Sequence, residues 1–94
     1  FTEADRVLIG TLREKLLADK KLRKAAKSDG QQIFEKNVFP KVFNDTAQAS
    51  YIESTETYTK LFEDGDKYRA IMTALAQELY REMRNGQEDD HAKG

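Results

Sequence analysis

Ninety-four residues, 38% hydrophobic and 35% charged, supply apolar material for one small core and leave most of the surface charged. The chain has no cysteine, which excludes a disulfide framework and a thiolate metal site, and no apolar run approaches the length of a membrane span or a signal-peptide core. A formal charge of −1 identifies no partner by itself, and a cytoplasmic setting without a membrane partner is expected.

The first helix is expected to open at Thr2, with Asp5 three residues on as a weak capping box. Val7, Leu8, Leu12 and Leu16 form its stripe to about Ala18, widened by Ile9 and Leu17. Gly10 is costly inside a helix and is expected to mark a close approach to another backbone. Asp19 caps a short second helix, KKLRKAAK. Its only apolar side chains are Leu22, Ala25 and Ala26, so shallow docking is expected.

Ser28-Asp29-Gly30 breaks the pattern, and Asp29 with Gln32 forms another capping-box signature. Ile33, Phe34, Val38 and Phe39 follow at helical spacing. Pro40 pushes the residue before it out of the helical region, so Phe39 should end or kink the helix. Either Pro40 begins the next helix, or a turn intervenes and Asp45 caps it; a kink with helix on both sides is the preferred reading. The next stripe is Phe43, Ala47, Tyr51, Thr55, Tyr58 and Phe62, flanked by Ile52 and Leu61, with Glu56 and Lys60 in the favourable order for an ion pair.

Glu63-Asp64-Gly65 is the turn into the last helix, Asp66 to Arg84, capped by Asp66 and stopped at Asn85-Gly86. Its stripe is Tyr68, Ile71, Met72, Leu75, Leu79 and Met83, the longest in the chain and the surface the other helices pack against. So short a connection predicts an antiparallel hairpin for the last two helices. The expectation is an all-α bundle of about four to five helices, with residues 1–85 as a single domain and residues 86–94 as a disordered tail. The start at Phe rather than Met suggests a piece of a longer protein.

Charge is unevenly placed. From Arg13 to Lys27 seven basic residues face two acidic ones; from Asn44 to Asp66 six acidic residues face one lysine. The two segments can attract one another or meet different partners. Lys20, Lys21, Arg23, Lys24 and Lys27 are candidate contacts to phosphate or to an acidic protein, against a plain solvated helix face. The absence of interleaved aromatics argues against single-strand stacking. Tyr80, at the border of the last stripe, is a candidate interface anchor.

Nothing points to catalysis or to a cofactor. Glu88 and His91 have a metal-bundle spacing, but one histidine in a polar tail makes no site. Glu53 with Glu56, and Glu78 with Glu82, are acid pairs expected on solvated faces, where no shielded cleft shifts a pKa. The glycines are scattered rather than gathered in a phosphate loop.

The run LREKLLADKKLRKAAKSDGQQIFEKNVFPKVF, followed later by TYTKLFEDGDKYRAIMTALAQELYREMR, resembles the C-terminal end of the R subunit of type I restriction-modification enzymes. The residues that carry the resemblance are Leu22 to Lys27, Gln32 to Phe34, Leu61 to Asp64 and Leu79 to Arg84. It implies a non-catalytic helical domain at the end of an ATP-driven DNA translocase and endonuclease, docking that subunit onto the modification and specificity subunits. The family's nuclease and motor motifs match nothing here, so no catalytic residue carries over. The alternatives are a small DNA-contacting domain using the basic 20–27 helix and an unrelated homodimeric adaptor bundle.

Overall fold

Three leucines at steps of four, Leu8, Leu12 and Leu16, give the first helix one buried edge, and every later helix is turned to meet it or the long last helix. The computed structural model describes the backbone of residues 2–93 and the side chains of residues 2–85. The last helix runs on through Asn85-Gly86, where a stop was expected, and the side chains of residues 86–94, the Glu88/His91 pair included, lie outside those described. Five helices make up the described chain, with no strand among the described residues. They are α1 (Glu3–Leu17), α2 (Lys20–Ser28), α3 (residues 31–53), α4 (Thr55–Glu63) and α5 (Gly65–Lys93).

Helix α1 begins as expected. Thr2 Oγ1 accepts from the Asp5 N–H at 3.1 Å, and the Thr2 N–H donates to the Asp5 carboxylate at 3.0 Å. Lys67 adds an ion pair to the same carboxylate at 3.2 Å. The Thr2 backbone bond is the main cause that lowers the Asp5 pKa, with Lys67 adding to it against a partial desolvation penalty. A carboxyl lowered in the folded state stabilises the fold above its unfolded value near pH 4, and that contribution is lost as the pH falls through the lower folded value. Thermal melts of the chain and of Asp5→Asn should therefore differ at pH 7 and converge at strongly acidic pH; a constant gap would contradict this linkage.

Gly10 sits in ordinary helical backbone, and a Cβ built there meets nothing within 4 Å. The close approach expected of it is absent. With space available and no positive φ, Gly10→Ala should raise the unfolding free energy by about 0.5–1 kcal/mol, measured by urea denaturation. Destabilisation would mean that the glycine serves the fold in another way.

Helix α2 opens at Asp19, whose carboxylate accepts from the Leu22 N–H at 3.0 Å. Its docking is deeper than expected: Leu22 and Ala26 are fully buried and Ala25 nearly so. Two alanines let the α2 backbone come close to α5, so three small or medium side chains suffice to bury one face. Asp29 ends this helix instead of starting the next; Gly30 occupies the cap position of α3, without a side-chain bond.

Helix α3 is continuous through Pro40, where a break or kink was expected. Residues Gln31–Ile33 lead into a π-helical turn, Phe34–Val38, and then Phe39–Glu53. Phe39 keeps helical dihedrals, φ −62° and ψ −45°, and its N–H donates to the Phe34 carbonyl. Pro40 cannot donate to the preceding turn and would clash with its carbonyl in a regular helix; widening that turn relieves both problems. The wider turn also brings Phe34 and Phe39 onto one face, with ring centroids 5.8 Å apart. Both are fully buried, whereas Ile33, expected in the same stripe, is 49% exposed.

A second departure lies at Ser54. The stripe from Phe43 to Phe62 was expected on one helix, but Ser54 leaves helical geometry at φ −147° and ψ 70° and separates α3 from α4. The run Ser54-Thr55-Glu56-Thr57 consists largely of residues whose hydroxyls compete for local bonds. The Ser54 hydroxyl donates to that of Thr57 at 2.9 Å, and Thr55 Oγ1 donates to the Tyr51 carbonyl at 3.0 Å. The break changes the phase of the stripe. Phe43, Ala47, Ser50, Tyr58 and Leu61 are buried, while Tyr51, Thr55 and Phe62 are turned outward. Glu56 and Lys60, expected to pair, form no ion pair here.

Helix α5 starts two residues earlier than expected. Asp64, not Asp66, is its cap: the Asp64 carboxylate accepts from the N–H groups of Asp66 and Lys67, each at 3.1 Å. The expected stripe does form the spine of the fold. Ile71, Leu75, Leu79 and Met83 are buried, joined by Ala76 and Tyr80, with Tyr68 and Met72 packed against them.

Helices α1 and α5 run in the same direction, because Asp5 meets Lys67 and Arg13 meets Glu78 and Glu82. Glu78 and Glu82 were expected as solvated charge; they remain half-exposed, yet both hold Arg13, at 2.8 and 2.6 Å. On the other side of α1, Lys15 donates to the buried Ser50 hydroxyl at 2.9 Å and pairs with Glu53 at 3.3 Å. The Ser50 hydroxyl in turn donates to the Thr46 carbonyl, so its burial leaves no polar atom unsatisfied.

Candidate interaction surface

Seven aromatic rings form an unbroken chain of contacts from the core to the surface. Starting inside, Tyr80 lies 5.1 Å from Phe34, then Phe34 to Phe39 is 5.8 Å and Phe39 to Phe43 is 5.7 Å. The chain continues from Phe43 to Tyr68 at 5.2 Å, Tyr68 to Phe62 at 5.6 Å and Phe62 to Tyr51 at 5.3 Å, the last pair edge to face. Tyr68 donates to Asn44 Oδ1 at 2.8 Å, and burial raises its phenol pKa. Each ring is thereby held by the one beneath it. The outermost two, Tyr51 and Phe62, are seated on the core yet face solvent.

Those two rings wall a groove of about 540 Å³ between the end of α3 and α4, lined also by Gln48, Ile52, Thr59 and Glu63. Ile52 is 80% exposed, an unusual position for a large aliphatic side chain beside two exposed rings. Glu63 also borders an adjoining polar depression with Asp64, Asp66, Lys60 and Lys67. Glu56 lies one turn before Thr59 and two before Glu63 on the same face of α4. The groove is therefore apolar within, with the Glu63 carboxylate in its lining and Glu56 and Lys60 farther along the same face of α4.

The basic residues singled out from sequence are held together on α2. Lys20, Lys21, Arg23, Lys24 and Lys27 are all exposed. Arg23 also donates to the Leu17 carbonyl at 2.7 Å, stapling the α1–α2 corner. No ion pair joins the four lysines to the acidic 44–66 segment among the described residues, so the two charged regions address solvent separately.

Tyr80 belongs elsewhere. Only 8% exposed, it stacks on Phe34, donates to the Asp29 carbonyl at 3.4 Å and accepts from Arg84 at 2.6 Å. Its ring is engaged within the fold, whereas Tyr51, Ile52 and Phe62 are the exposed large side chains at the groove. Tyr51 and Phe62 were assigned to the core because their spacing fits an unbroken helix; the Ser-Thr-rich run at residues 54–57 was the available sign that the helix ends there.

Among the described residues no group of three or more His, Asp or Glu side chains is placed to hold a metal ion. No helix among them is long and apolar enough to cross a membrane. What the fold and surface define is an all-α bundle whose distinctive exposed features are an apolar groove and a separate basic helix. No family model, curated protein or solved structure matches the chain.

Proposed function

We propose that the chain is a non-catalytic assembly domain of the R subunit of a type I restriction-modification enzyme, docking that ATP-driven translocase and endonuclease onto the modification and specificity subunits in the cytoplasm. The observation that carries the docking role is the groove, where Tyr51, Ile52 and Phe62 gather exposed apolar surface on an otherwise charged bundle. The link to the type I enzymes rests on the motif segments Leu22 to Lys27, Gln32 to Phe34, Leu61 to Asp64 and Leu79 to Arg84. This reading treats residues 1–85 as the domain, with α4 and the start of α5 as an antiparallel hairpin that presents the groove's acidic side.

A second reading has its own observation: Lys20, Lys21, Lys24 and Lys27 are exposed on one short helix, where they can follow a phosphate backbone. Salt separates the two. The immobilised chain is offered purified modification and specificity subunits, or duplex DNA, at low and high salt. Docking through apolar surface predicts retention of the protein subunits at both salts. Retention of DNA alone, lost at high salt, would transfer the function to α2. Retention of neither would remove support for both readings.

A further inference from the structure

The groove constrains the form of what it can bind. Along their lengths the helices around it satisfy their backbone internally, only the end carbonyls near Ile52 and Glu63 lacking helical partners, and no strand edge exists among the described residues. An extended segment laid on Tyr51, Ile52 and Phe62 would bring unpaired backbone groups against apolar walls, each desolvated without a partner. A helix brings its backbone already satisfied and offers apolar side chains at three- and four-residue spacing. The occupant is therefore helical.

Charge fixes its flank. Glu63 lines the groove, Glu56 and Lys60 share its face of α4, and among the described residues neither carboxylate has an ion-pair partner. Asp64 and Asp66 extend the acidic side into the adjoining depression, where Lys60 offsets part of the charge and Lys67 is already paired with Asp5. An acidic helix would meet like charge along this side, whereas a basic one would complement it.

The basic helix of a second copy, α2, does not supply that helix. Its Leu22, Ala25 and Ala26 are buried against the rest of the fold, so no apolar face is left to insert. We infer that the α3–α4 groove binds an amphipathic helix of a different protein, apolar on one face and flanked by Lys or Arg. This rests on the proposed assembly role, and within that role the helix belongs to a modification or specificity subunit.

Two synthetic helix-forming peptides test the chemistry directly. One has a leucine stripe at helical spacing flanked by lysines; the other has glutamates in place of those lysines. Titrated into the isotope-labelled chain, the lysine peptide should shift the resonances of Tyr51, Ile52 and Phe62 and bind at least about tenfold more tightly than its twin. Ile52→Asp should abolish that binding, and the double variant Glu56→Lys with Glu63→Lys should reverse the preference, all three positions being exposed.

Equal affinity for the two peptides, or shifts confined to α2, would overturn the inference. So would a concentration-dependent dimer in sedimentation that dissociates on Ile52→Asp, because the occupant would then be a second copy. The assembly reading fails separately: peptide binding as described, with no retention of the modification and specificity subunits, would leave the groove chemistry standing without that parent enzyme. Retention of those subunits undiminished by Ile52→Asp would leave the parent enzyme and remove the groove.

Discussion

Phe39→Ala should lower the unfolding free energy by about 3–5 kcal/mol, a large share of the roughly 5–15 kcal/mol typical of a small domain. Phe39 is fully buried and sits between Phe34 and Phe43, at 5.8 and 5.7 Å, in the middle of the aromatic chain. Its loss leaves a cavity that a helix running through Pro40 is poorly able to close. It also removes the ring through which Phe43, Tyr68 and the groove residues connect to Tyr80 and α2. Urea denaturation followed by far-ultraviolet circular dichroism measures the effect. A loss below about 1 kcal/mol would mean that the π-helical turn does not seat this ring as described.

Leu22→Ala should cost about 2–5 kcal/mol, with consequences concentrated in α2. Leu22 is the only large apolar side chain on that helix, and Ala25 and Ala26 bury little area beside it. With the leucine truncated, α2 retains its Asp19 cap and the Arg23 staple but little apolar anchorage. Hydrogen exchange should therefore accelerate in residues 20–28 before it accelerates in α5. Uniform acceleration across all helices would show instead that α2 belongs to the same cooperative unit as the spine.

The parts legible from sequence were those governed by local chemistry. Thr2 and Asp19 cap as their side chains predict, and the α5 stripe from Tyr68 to Met83 faces inward as its spacing predicts. Where one residue changes the phase of a helix, periodicity misassigned the faces. Helix lies on both sides of Pro40, as the preferred reading has it, but the sequence does not reveal that a widened preceding turn relieves the clash and puts Phe34 above Phe39. Ser54 was read as helical interior, and its departure from helical geometry turns Tyr51 and Phe62 out of the core and makes the groove.

Amphipathic patterning also could not distinguish a buried tyrosine from an anchor. Tyr80 and Tyr51 both border a stripe, and only the position of Phe34 against one and the break beside the other separates them. The lysines of α2 were legible as a group because a nine-residue helix with three apolar side chains leaves them nowhere else to go. Asp29 and Asp66 show the limit of capping signatures: the cap positions are held by Gly30, one residue after Asp29, and by Asp64, two residues before Asp66.

Tyr51, Ile52 and Phe62 are the proposed surface through which the chain joins a larger protein assembly. Its most direct test is sedimentation of the chain with purified modification and specificity subunits at high salt, comparing the unaltered chain with Ile52→Asp. Ile52 is 80% exposed, so the substitution leaves the core intact, and circular dichroism should confirm an unchanged fold. Co-sedimentation of the unaltered chain together with its loss in Ile52→Asp is the predicted result. Equal co-sedimentation of both proteins would contradict it and place the contact on another face.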